Sequence, residues 1–89
     1  MDRTKIIKKL NKTLNNTLDL RILPIGTMRD IIKLSMRLSN KNIINIINFI
    51  GYYKDVNNID IVCTAKQQKI LLNSIESYIC VLIGGQNVK

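Results

Sequence analysis

Histidine is absent from this 89-residue chain, as is tryptophan, and glutamate occurs once, at Glu76. The five aspartates are scattered, and no nucleophile is paired with a base. Little is left for general acid–base or covalent catalysis. Cysteine occurs twice, at Cys63 and Cys80. Without histidine, one copy of the chain cannot assemble the usual four-ligand zinc site. The two cysteines read as small buried apolar residues, and a disulfide between them requires an oxidising compartment. No glycine-rich loop suited to phosphate is present: Gly51 and the pair Gly84-Gly85 read as helix ends. No apolar run approaches the ~20 residues that cross a bilayer. The nearest, Ile43 to Tyr53, is cut by Asn45 and Asn48. A secretory signal is missing too, since Ile6 and Ile7 run straight into Lys8 and Lys9. Asp2 and the scarcity of arginine argue against a transit peptide, and a gene carried inside an organelle needs none. These absences point to a non-enzymatic protein with no cofactor, no small-molecule substrate and no membrane association.

Acidic residues are also scarce. Six stand against fourteen Lys/Arg, giving a net charge of +8 and a pI near 9.8. Such a balance suggests an anionic partner, nucleic acid or a charged membrane surface, and the membrane is disfavoured because no Trp or Phe borders the lysine-bearing first helix. The charge is uneven. Residues 1–41 hold ten Lys/Arg against Asp2, Asp19 and Asp30, whereas residues 42–89 are nearly balanced. What is abundant is isoleucine, asparagine and lysine, whose codons are AT-rich, so the gene belongs to an AT-rich genome such as an organelle, a virus or a reduced bacterium. A chain of this length makes one small domain whose modest core often relies on a partner.

Periodicity predicts helices. From Arg3 to about Leu20, the residues Ile6, Ile7, Leu10, Leu14 and Leu18 line one face and Lys5, Lys8, Lys9 and Lys12 the opposite one. The lysine stripe is either a solvated face or a phosphate-contacting one. Arg21 to Gly26 is a connector, with Pro24 forcing Leu23 toward an extended conformation. Thr27 with Asp30 reads as the start of a second helix, Met28 to about Leu38, that buries Met28, Ile31, Ile32, Ser35 and Leu38. Arg29, Lys33 and Arg37 form a second basic stripe at i, i+4, i+8. Asn40 is the next cap candidate, and a third helix, Lys41 to Ile50, is apolar nearly all round and should lie between other elements. Gly51 is expected to end it. Tyr52 to Cys63 is the least legible part, with a turn at Asn57-Asn58 and a short extended piece where Ile59, Ile61 and Cys63 alternate with Asp60 and Val62. Tyr52 and Tyr53 beside Lys54 either stack on bases or shield a helix end.

The best-marked helix spans Thr64 to Gly85. Thr64 and Gln67 have the spacing of a capping box, and Gly84-Gly85 marks a stop. Leu71, Leu72, Ile75, Tyr78, Ile79, Leu82 and Ile83 share one side; Lys66, Lys69, Asn73 and Ser77 share the other. The tail Gln86 to Lys89 should fray. The fold class is thus all-α: a small bundle of about four short helices, with an irregular or extended segment at 52–63.

The opening of this last helix resembles a known signature. Small-subunit ribosomal protein eighteen of bacteria and organelles ends in a helix that begins T/S-A-K-x-Q-R/K and continues as an apolar ladder. Thr64, Ala65, Lys66, Gln68 and Lys69 match the opening, Leu71 and Ile75 the ladder, and Leu82 with Ile83 its closing pair. Gly84 stands where that family has proline. Lys41, Asn42, Ile46, Ile47, Phe49 and Ile50 resemble the family's preceding short helix, with Asn40 in place of its tyrosine. Together the matches cover about residues 40–84. The family's Gly-Lys-Ile-Leu-Pro-Arg-Arg segment is not reproduced between the motifs, and Glu76, Ser77 and Tyr78 replace basic residues further on.

This resemblance implies a structural constituent of the small ribosomal subunit of an organelle (plastid or mitochondrion) or an AT-rich bacterium. Its expected partners are small-subunit rRNA in the platform region and small-subunit protein six. Residues 1–39 would be a basic helical extension and residues 40–89 the ribosomal-protein-like core. Lys66 and Lys69, at matched positions, are the first candidates for rRNA contact; Lys41 and Lys54 come next. Lys8, Lys9 and Lys12 are candidates from charge placement alone. The alternative reading is a viral or phage helical module that binds nucleic acid or a protein partner.

Overall fold

The computed structural model describes residues 2–87. Four helices follow one another: α1 (Arg3–Thr17), α2 (Thr27–Ser35), α3 (Asn40–Val56) and α4 (Ala65–Asn87). No strand occurs among the described residues, so the protein is an all-α bundle.

Each helix start has a local cause. The Asp2 carboxylate accepts the Thr4 amide hydrogen ahead of α1. Gly26 precedes α2 with φ +88°, a left-handed conformation that side chains disfavour. Ser39, not Asn40, caps α3: its hydroxyl accepts the Asn42 N–H at 3.2 Å. The capping box before α4 closes in both directions. Gln67 N–H donates to Thr64 Oγ1 at 3.2 Å, and Thr64 N–H donates to Gln67 Oε1 at 3.0 Å.

The helix ends depart most from the sequence expectation. α1 stops at Thr17 instead of Leu20, where Leu18 turns extended at φ −94°, ψ 142° and drops its side chain into the core. α2 ends at Ser35, three residues before Leu38, and the chain continues in a tighter turn through Leu38 N–H to Ser35 C=O at 2.9 Å. Gly51 does not end α3, which continues to Val56 because Ile50 and Tyr53 keep facing the bundle. The real stop is Asn58, at φ 53°. Ile59 N–H reaches Lys54 C=O at 2.9 Å and Asn58 N–H reaches Asp55 C=O at 3.3 Å, the paired bonds of a Schellman motif. Residues 52–56 are therefore helical, and the extended piece predicted near Cys63 is irregular backbone. Likewise α4 passes through Gly84 and Gly85 to include Gln86 and Asn87. Of the tail predicted to fray, Val88 and Lys89 lie outside the described residues.

All four helices feed one core. Ile6, Leu10, Leu14 and Leu18 from the first segment meet Ile31 and Leu38, then Ile43, Ile46, Ile47 and Ile50 of α3, and Leu71, Ile75 and Ile79 of α4. A fully buried Leu or Ile stabilises by roughly 1.5–3 kcal/mol. α3 lies between α1 and α4, as its all-round apolarity predicted, and α1 against α3 is the most extensive helix pair. Residues 1–39 thus pack into the same unit as residues 40–87. The radius of gyration, 12.7 Å, is close to the roughly 12 Å of a folded domain of this length.

Two side-chain anchors hold the ends of this bundle. Arg3 donates to Leu38 C=O at 2.7 Å, Met36 C=O at 2.6 Å and Asn40 Oδ1 at 2.9 Å, tying the start of α1 to the α2–α3 junction. Gln68, 3% exposed, accepts Asp19 N–H at 2.6 Å and returns a longer bond to Asp19 C=O. Cys63 N–H adds a bond to Thr17 C=O at 2.9 Å, so the start of α4 is fastened to the end of α1.

Candidate nucleic-acid interface

Positive charge concentrates where α1 and α2 run side by side. An open cleft of about 300 Å³ between them is lined by Ile7, Met28 and Ile32 on its floor and by Lys8, Asn11, Arg29 and Lys33 at its rim. Helical spacing puts Lys8 of α1 and the Arg29/Lys33 row of α2 at this one place. Lys5, Lys9 and Lys12 continue the same exposed side of α1. Among the predicted lysines, Lys8, Lys9 and Lys12 therefore share a surface. Arg29 and Lys33, the second basic stripe, join it, although they stand outside the predicted rRNA contacts. Their i, i+4 spacing was the available signal. What it lacked was the packing of α2 against α1.

Lys66 and Lys69 are exposed on the first turns of α4. Lys69 borders a second shallow cleft, about 350 Å³, with Ile22, Pro24, Ala65, Gln68 and Leu72. Gln68, matched in the same signature, points the other way and is spent on Asp19. Lys41 is exposed in the first turn of α3. Lys54 differs from the rest: it is half-buried and donates Nζ to Asn16 C=O at 3.3 Å, satisfying a carbonyl in the last turn of α1.

Perturbed ionisable groups often mark active sites, but here each has a structural cause. Arg21 donates to both carboxylate oxygens of Asp19, at 2.9 and 2.8 Å, and its hydrogen bonds hold that carboxyl below the usual aspartate range. Burial pushes the Cys63 thiol up. Burial also raises the Tyr53 phenol, whose O–H donates to Gln67 C=O at 3.0 Å. Tyr53 is thus a packing residue shielding a helix end. Tyr52, its neighbour, is 67% exposed.

The cysteines do not behave alike. Cys63 is buried as expected, whereas Cys80 is exposed on α4, and both are free. No cluster of three or more potential metal-ligating His, Cys, Asp or Glu occurs among the described residues. Among the described residues, no helix is long and apolar enough to cross a membrane.

Comparison with known protein families, with curated proteins and with solved structures returns no match.

Proposed function

We propose that this protein is a non-catalytic RNA-binding constituent of the small ribosomal subunit, contacting rRNA through its basic surfaces. The observation that carries RNA binding is the α1–α2 cleft, where Lys8, Arg29 and Lys33 meet over an apolar floor. Cations fixed on rigid helices neutralise phosphates and release condensed counterions without reading sequence. The ribosomal assignment rests on the Thr64-Ala65-Lys66 and Gln68-Lys69 signature. Its capping box positions a helix start from which Lys66 and Lys69 extend into solvent. Small-subunit protein six is the protein neighbour this assignment implies, in an organellar or AT-rich bacterial ribosome.

A free-standing viral or phage nucleic-acid-binding module is the second reading. It is favoured by residues 1–39, which supply both the basic cleft and part of the core yet have no counterpart in the ribosomal family.

Gradient sedimentation of a source lysate separates the two. Co-migration with the small subunit that survives moderate salt supports the ribosomal role, and sedimentation as a free protein at every salt concentration overturns it. In purified form, Lys8→Glu together with Lys33→Glu should weaken RNA binding and flatten its salt dependence by about one ion per lost phosphate contact. An unchanged salt slope removes this cleft from the interface.

A further inference from the structure

We propose that the cleft between α3 and α4 lined by Asn45, Asn48, Phe49, Tyr52 and Tyr78 binds an unpaired nucleobase of a single-stranded RNA segment. The proposal rests on the RNA-binding reading above and adds a site that reads bases instead of phosphates. The cleft is open to solvent and holds about 510 Å³, within the usual range for small-ligand sites.

Its lining has the two chemistries that base recognition needs. Phe49 and Tyr78 meet edge to face, with centroids 5.4 Å apart and planes at 73°, and form a fixed aromatic wall. Tyr52 stands at the rim, 67% exposed, a large aromatic ring with a free face. Exposed aromatics of this kind stack on unpaired bases. Asn45 and Asn48 supply amides, which donate and accept at once and so match a base edge. Asn48 is exposed, and the Asn45 amide makes a long 3.5 Å bond to Asn42 Oδ1.

The register along α3 orders these groups. Lys41, Asn45, Asn48 and Tyr52 follow spacings of four, three and four residues, which is one stripe of a helix. Exposed Lys41 sits one turn, roughly 6 Å, before Asn45. A strand lying along the stripe therefore meets a cation for its phosphate, amides for a base edge and a ring for stacking, in that order. The stripe runs along a helix whose other faces carry Ile43, Ile44, Ile46, Ile47 and Ile50, and its Asn48 is exposed. A base in a duplex is stacked and paired and cannot enter, so the cleft selects single strands.

Fluorescence anisotropy with labelled oligouridylate and with a labelled RNA duplex tests this on the intact protein. Tyr52→Ala, an exposed position, should weaken oligouridylate binding on the order of tenfold and leave duplex binding unchanged. Tyr52→Phe should restore it. Lys8→Glu with Lys33→Glu should weaken both probes. Equal effects of Tyr52→Ala on both probes, or none on either, overturn the base site while leaving the RNA-binding reading standing. Failure of the unsubstituted protein to bind either probe at low salt overturns both. Free uridine monophosphate should compete poorly, lacking the chain that reaches Lys41; competition as strong as that of oligouridylate shows a free-nucleotide site and overturns the single-strand assignment.

Discussion

Gln68 shows how one residue serves two descriptions. In the sequence it is one of the residues that resemble a ribosomal signature, between Lys66 and Lys69, the lysines expected to contact rRNA. In the fold it is the buried clamp between the start of α4 and the loop after α1. Replacing it with alanine leaves the Asp19 amide without its 2.6 Å acceptor. An unmet buried donor costs about 1–3 kcal/mol, so Gln68→Ala should lower thermal stability by several degrees with RNA affinity retained once folded; calorimetry beside a binding titration checks both. Cys63 makes a second residue-scale prediction. Its folded thiol loses its proton at higher pH than an unfolded one, because burial disfavours the thiolate. The folded state then holds the extra proton, so this contribution is complete below the ordinary thiol value near 9.0 and is lost as pH rises through the elevated one. Tyr53 acts in the same direction at still higher pH. Denaturant titrations should give constant stability around neutrality and a decline in alkali, with the first part of that decline missing in Cys63→Ala.

At the scale of elements, helix starts were legible to within a residue, although Gly26 and Ser39 stand at the caps expected of Thr27 and Asn40; helix ends were not. The Thr64–Gln67 box closes as its spacing predicted, because a cap is a bond between residues three apart and needs no distant partner. An end is a competition. Gly51, Gly84 and Gly85 permit a left-handed stop, but a helix continues through glycine when the residues around it still have apolar surface to bury. Ile50 and Tyr53 flank Gly51 in this way, and α3 runs on to the Asn58 stop. This difference is measurable. A Cβ added at Gly51 or Gly84 meets nothing within 4 Å, and neither residue has positive φ. Gly51→Ala and Gly84→Ala should therefore each stabilise the protein by about 0.5–1 kcal/mol. If either glycine were a left-handed stop, the same substitution would destabilise it. Gly26, at φ +88°, is the internal control, since Gly26→Ala should be unfavourable. Chemical denaturation of the three variants decides the signs.

For the whole molecule, the basic front segment is also half of the fold. Its charge faces outward at Lys5, Lys8, Lys9 and Lys12, and its apolar face supplies Ile6, Leu10, Leu14 and Leu18 to the shared core. Removing residues 1–20 should therefore do more than weaken nucleic-acid binding. It uncovers Ile43, Ile46, Ile47 and Ile50 and breaks the Arg3 and Thr17 tethers, so the shortened chain should lose its cooperative unfolding transition. A sharp transition in circular dichroism of residues 21–89 would show instead that α1 is a dispensable arm.

The sequence by itself determined the helical class, the apolar face of each helix, the internal place of α3 and the capping box of α4. All of these depend on spacings of three, four or seven residues within one segment. Only the tertiary structure decided which basic stripes meet, that Lys54 reaches Asn16 C=O, that Gln68 is spent on the fold, that Cys80 is exposed, and that Asn45, Asn48 and Tyr52 border a cleft with Tyr78. Each of those outcomes depends on how one helix is rotated and set against another. Burial of the core fixes that arrangement, and no local spacing encodes it.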